Sequence, residues 1–195
     1  MARSGWRPKG WPLRTSQLFQ ASVVEPPTSL SPAATRPVTF DVNVLIAAVT
    51  RGPHAFWAWP SPPPVSGNLA ANCVGIVNDA LEFGLWLSSH ILANVLRVLA
   101  ALDWGEDKAL EYIGLLRDIA YQSGGGILEP LVQVSDCPDY EDNRILELAL
   151  ASGSVLLLSD DGDLFTMSPW RGIPIVTPAE LAGRVDAMRR AGRRR

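Results

Sequence analysis

Val155-Leu156-Leu157-Leu158-Ser159-Asp160-Asp161-Gly162-Asp163 joins an unbroken aliphatic run to three acids within four positions. A run this short and this apolar is the mark of a strand buried on both faces, as in the middle of a parallel sheet. Ligands of such sheets collect off the carboxyl ends of the strands, which is where these acids fall.

Outward toward the C-terminus, Ile173 to Val176 reads as a second buried strand. Thr177-Pro178-Ala179-Glu180 then supplies a capping residue, a proline suited to the first helical position and a glutamate at the third. The helix it starts carries Leu181, Val185 and Met188 on its apolar side. Outward toward the N-terminus, Asp139-Tyr140-Glu141-Asp142 precedes a helix with Ile145, Leu146, Ala149 and Leu150, which Gly153 can end in the left-handed conformation. Ile127 to Val134 is a strand candidate interrupted by Pro130. A helix is expected from about Glu106 to Ala120, stopping before Ser123-Gly124-Gly125-Gly126. Another is expected behind a Ser88 or Ser89 cap, with Ile91, Val95, Val98, Leu99 and Leu102 at the 3.6 period. Leu85-Trp86-Leu87 reads as a short strand, and Leu69 to about Phe83 as a helix with Cys73, Ile76, Val77 and Ala80 on one face. Residues 51–67, with five prolines and with His54, Phe56, Trp57 and Trp59, read as a loop. Val38-Thr39-Phe40 is a β-prone run ending at Asp41, followed by a helix through Val44–Val49.

Helices alternating with short strands predict an α/β fold: three layers, α/β/α, around a mainly parallel sheet. Residues 38–183 form the expected domain, after an extended or disordered arm at 1–37 and before a basic helix end and tail at 184–195. The 195 residues suffice for one sizeable core, and 47 % hydrophobic against 19 % charged residues excludes a disordered chain. The most apolar stretch, Phe83 to Leu102, carries His90, Asn94 and Arg97, which a membrane span tolerates poorly. No apolar run follows the basic N-terminus, so a cytoplasmic location is expected. Cys73 and Cys137 lack the spacing of a zinc site or a disulfide framework. Charge is uneven. Residues 1–37 hold five Lys/Arg against one acid, residues 184–195 six Arg against one Asp, and the body six against eighteen. An acidic pocket with basic flanks that touch phosphate accounts for this, as do solvated helix faces and a tail.

Asp41 ends the first strand, Asp160, Asp161 and Asp163 follow the Leu156–Leu158 strand, and Asp142 starts the helix that feeds it. If both strands are central, these acids ring one crevice. Packed carboxylates raise one another's pKa, and a hard divalent cation, Mg2+ or Mn2+, relieves that. The structural alternatives are ordinary ones: helix caps for Asp139 and Asp142, and a turn for Asp161-Gly162. His54 and His90 read as structural or surface groups. Trp57 and Trp59 fit a core edge or interface better than base stacking.

Val38-Thr39-Phe40-Asp41-Val42-Asn43-Val44-Leu45-Ile46 resembles the opening motif of PIN-domain proteins, a hydrophobic strand ending in Asp-x-Asn-x-Leu. Asp139-Tyr140-Glu141-Asp142-Asn143-Arg144-Ile145-Leu146-Glu147-Leu148-Ala149 is similar to the family's third acidic motif, and Ser159-Asp160-Asp161-Gly162-Asp163-Leu164-Phe165 to its closing one. Gly172-Ile173-Pro174-Ile175-Val176-Thr177-Pro178 resembles the final strand and helix start. The likeness spans about residues 38–183 and is greatest to the toxin component of bacterial toxin–antitoxin pairs. It implies a metal-dependent endoribonuclease with an RNA substrate, an antitoxin partner and a homodimeric state. Asp41 and Asp161 would then be the principal ligands of Mg2+ or Mn2+. Asp142 and Asp163 would bind a second ion or orient water, and Asn43 and Ser159 would hold the carboxylates by hydrogen bonds. The family has Glu where this chain has Asn94. A unit charge about 4 Å from a metal is worth on the order of a few kcal/mol. Metal affinity is therefore expected to fall unless Asp139 or Asp160 compensates.

Two other functions fit parts of the pattern. A PIN domain without catalysis would use the degenerate site to bind RNA or protein. A haloacid-dehalogenase-like phosphatase shares the acids around Asp41 and Asp160, but it needs an acid where Asn43 stands and a lysine near the phosphate, for which the body offers only Lys108.

Overall fold

The structure is a computed structural model that describes residues 35–51 and 67–193. Residues 1–34, for which an extended or disordered arm is expected, the proline- and tryptophan-rich segment 52–66 and the last two arginines lie outside the described residues.

Five strands form one parallel sheet: β1 (Arg36–Phe40), β2 (Phe83–Leu87), β3 (Gly126–Ile127), β4 (Leu156–Leu158) and β5 (Ile175–Val176), in the order β3-β2-β1-β4-β5. The predicted α/β class with a parallel sheet holds. Val38 pairs with Leu85 on one side and with Leu156 on the other, which makes β1 the central strand. Its residues Val38, Thr39 and Phe40 are fully buried, as are Leu157 and Leu158. This is why these strands show no polar alternation.

The helices are α1 (Val42–Thr50), α2 (Leu69–Asn78), α3 (Ser89–Ala101), α4 (Glu106–Gln122), α5 (Tyr140–Ala151), α6 (Gly162–Thr166) and α7 (Pro178–Gly192). Right-handed crossovers put the helices between β1, β2 and β3 on one face of the sheet. They put α5, which enters β4 from the far edge, on the opposite face, against β1 and β2. The result is three layers. Because the chain leaves β1 for β2 and later returns to its other flank as β4, the strand order reverses there. A crevice opens beyond the carboxyl ends of these two strands.

Local chemistry sets the element ends. Ser88 Oγ accepts the Ile91 amide at 3.2 Å, Asn68 Oδ1 the Ala71 amide at 3.1 Å, and Thr177 with Glu180 completes the predicted capping box. Gly153, at φ 66°, follows α5 in the left-handed conformation. A Cβ on Gly125 would collide with the Leu85 carbonyl oxygen, so the glycine run after α4 lets that loop lie against β2.

Four sequence expectations shift. The helix expected to reach Phe83 ends at Asn78, because Ala80 takes φ 53° and Phe83 opens β2. Of Ile127–Val134 only Ile127 pairs. Pro130 has no N–H to donate, and the Val134 amide bonds Glu147 Oε1 at 2.9 Å instead. The first strand starts at Arg36, and Met188 is 42 % exposed on α7. Among the described residues no helix is long and apolar enough to cross a membrane.

Candidate metal centre

Asp41 follows β1 and occupies the N-cap position of α1, yet its side chain makes no capping bond. Its carboxylate turns instead toward β4, where Ser159 Oγ donates to Asp41 Oδ2 at 2.5 Å. The backbones are already joined there, the Asp41 amide donating to the Leu158 carbonyl at 2.8 Å. Ser159 is fully buried; its Oγ also accepts the Asp161 amide at 2.9 Å and the Asn43 side-chain amide at 3.4 Å. Asn43 Oδ1 in turn accepts the Asp160 amide at 3.4 Å. These bonds lock the ends of β1 and β4 together, fix the direction of the Asp41 carboxylate and pin the backbone that carries Asp161.

Asp142 sits in the first turn of α5, 9 % exposed, with the Cys137 thiol 3.3 Å from its Oδ2. Asp161 caps α6 by accepting the Asp163 amide at 2.8 Å, so the turn reading of Asp161-Gly162 is correct as far as it goes. Asp161 nevertheless faces the same cleft as Asp41 and Asp142. That cleft, about 410 Å³, is lined by these three carboxylates with Asn43, Asn94 and Glu141, and by Arg51 and Arg97. Its size admits a hydrated ion together with a phosphodiester.

The other predicted site residues are elsewhere. Asp163 does not line the cleft; it is exposed on α6, close enough for its charge to act on Asp142. Asp139 is the cap of α5, accepting the Glu141 amide at 2.7 Å. Asp160 turns toward Arg51, 3.8 Å from its guanidinium. Neither lines the cleft. Glu141 does, and sequence reasoning passed over it. Its only signal was its place in the first turn of a helix already marked by Asp142.

Burial pushes the Asp41 carboxyl up from 3.8 to about 6, with the charge of Asp142 adding and the Ser159 hydrogen bond opposing. Burial also raises Asp142; the Cys137 thiol opposes this, and the charges of Asp161, Asp139 and Asp163 reinforce it. Among the described residues no Lys, Arg or His pairs with Asp41, Asp142 or Asp161. Nor are three or more His, Cys, Asp or Glu side chains, among those residues, already drawn together as a ligand set. The donors facing the cleft are oxygens, the type that hard divalent cations take.

No family model matches this chain, and no curated protein matches it. Among solved structures, the crystal structure of VapBC2 from Rickettsia felis bound to a DNA fragment from their promoter is similar at 11 % identity and a TM-score of 0.45. The match covers 72 % of this chain and 98 % of that one. A likeness of that strength carries no inference about what this chain binds or cuts.

Proposed function

We propose that the chain is a PIN-type endoribonuclease dependent on Mg2+ or Mn2+, the toxin of a toxin–antitoxin pair. The observation that supports this most is the meeting of Asp41, Asp142 and Asp161 in one cleft at the carboxyl ends of β1 and β4, with no cationic side chain paired to them among the described residues. The oxygen donors fit the ion, and burying unpaired carboxylates costs folding energy that a cation would return. Asp41, Asp142 and Asp161 would hold it.

When bound, the cation polarises the scissile phosphate and makes an attacking water more acidic. Ser159 keeps the Asp41 carboxylate aimed into the cleft and, with Asn43, pins the backbone from which Asp161 projects. Asp163, outside the cleft on α6, would act on the site only through its charge. Arg51 and Arg97, both exposed at the rim, take the phosphates that flank the cut. The antitoxin would silence the enzyme by covering this mouth, and the active form would be a homodimer.

The test is incubation of the protein with labelled tRNA and messenger RNA, with Mn2+ or with chelator. Metal-dependent fragments are expected, and Asp41→Asn lowers their rate on the order of a thousandfold. An Asp41→Asn protein that cuts as fast as the parent refutes the assignment.

The non-catalytic reading has one observation in its favour. Asn94 faces the cleft without a charge of its own, and Arg97 Nε donates to its Oδ1 at 2.8 Å. Metal-independent RNA binding without fragments would select it. The phosphatase reading gains nothing, since Lys108 is exposed on α4 and is not part of the cleft.

A further inference from the structure

Two donors one turn apart on α3 converge on a single oxygen of α5. His90 Nε2 lies 2.7 Å from Glu141 Oε2, and the Asn94 side-chain amide donates to the same atom. Asn94 is itself oriented: Arg97 Nε holds its Oδ1, which leaves its NH2 group to face Glu141. The chain Arg97–Asn94–Glu141–His90 thus fixes the position of a carboxylate that is half exposed and would otherwise sample several rotamers. The other oxygen, Oε1, has no hydrogen-bond partner among the described residues, and Glu141 lines the cleft beside Asp41, Asp142 and Asp161.

The link between α3 and α5 uses Oε2 alone, so Oε1, on a side chain that lines the cleft, is left for a further interaction. We propose that Glu141 is a further anionic group of the cation site, held in place by the positioning residues His90 and Asn94. Helix α3 then supplies charge to the site through a partner on α5 and not through a side chain of its own. This rests on the reading of the cleft as a cation site.

Calorimetric titration of the full-length protein with Mn2+ tests it, using the parent, Glu141→Gln, Asp41→Asn and, as a control for distant charge, Glu106→Gln on the exposed face of α4. Glutamine keeps the size and an acceptor oxygen but removes the charge. Affinity is expected to fall about tenfold for Glu141→Gln, with an unchanged melting midpoint and an unchanged Glu106→Gln control. Parent affinity in Glu141→Gln overturns the proposal and leaves the cation site standing. No saturable binding by the parent, or equal binding by Asp41→Asn, removes the cation site and this role with it. If Glu141→Gln melts lower than the parent, Asn94→Ala gives a second reading, because it keeps the Glu141 charge and removes one holder. A loss of about fivefold is expected there, and parent affinity overturns the proposal.

Discussion

Acids gather in two regions of this molecule, and the two gatherings are managed in opposite ways. At the amino end of β2, Asp79 and Glu82 meet Arg189 of α7, whose guanidinium reaches Asp79 at 3.0 Å and both oxygens of Glu82 at 2.8 Å. The hydrogen bonds to Glu82, against the cost of burial, raise the Arg189 pKa further. At the carboxyl ends of β1 and β4, Asp41, Asp142 and Asp161 gather with no such partner among the described residues. The nearest arginines are engaged elsewhere, Arg51 with Asp160 and Arg97 with Asn94. The first region is closed chemistry that ties the last helix to the sheet. The second leaves carboxylates without an ion-pair partner among the described residues in a solvent-reachable cleft, an arrangement that a bound cation would relieve.

Breaking the closed region should have the largest effect. Arg189→Ala removes the Arg189 guanidinium from two largely buried carboxylates and is expected to cost about 3 kcal/mol in urea unfolding. A loss below 1 kcal/mol would erase the contrast.

The open region should respond with the opposite sign. In the folded chain Asp41 titrates at about 6, against an ordinary 3.8. Between these values the folded state holds a proton that the unfolded state has released. Stability of the metal-free protein therefore falls as pH rises from about 4 to about 6, and the full cost, about 3 kcal/mol, persists above that. Asp41→Asn removes the titrating group. Without metal it is expected to stabilise the protein by up to about 3 kcal/mol at pH 7 and to change little at pH 4. Denaturant curves at both pH values check this.

Ser159→Ala sharpens the account further. It takes away the donor to Asp41 and the acceptor of the Asp161 amide, for a loss of about 1–2 kcal/mol at pH 7. The Asp41 carboxyl should then titrate still higher, which carbon-detected NMR of that group can follow. Arg97→Ala, at an exposed rim position, should leave stability within about 0.5 kcal/mol. It should weaken RNA binding and lower the salt slope of log affinity by about 0.7. An unchanged slope removes Arg97 from the phosphate path.

The sequence made the centre of the fold legible and its edges much less so. Leu156–Leu158 and Val38–Phe40 are fixed by burial on both faces, a property of the residues themselves, so their pairing could be expected. The same holds for the Thr177–Glu180 cap, whose bonds are local. Ile127–Val134 has strand-like composition, but past Ile127 it does not pair, and its Val134 amide goes to Glu147, a buried acid set between apolar residues of α5. That Asp41, Asp142 and Asp161 share one cleft was legible because each sits at the end of an element that the pattern placed. The place of Glu141 was not, because its contacts depend on how α3 and α5 meet, across 47 residues from Asn94 that no local period encodes. The same blindness let Asp139 and Asp160 stand as compensating acids, although one is spent on a cap and the other turns to Arg51.

Crystals soaked in Mn2+ and measured at the manganese absorption edge would locate the ion directly. The account predicts an anomalous peak within coordinating distance of Asp41 and Asp161, absent in Asp41→Asn. Crystals with an open cleft and no peak there, or a peak that persists unchanged in the variant, would contradict it.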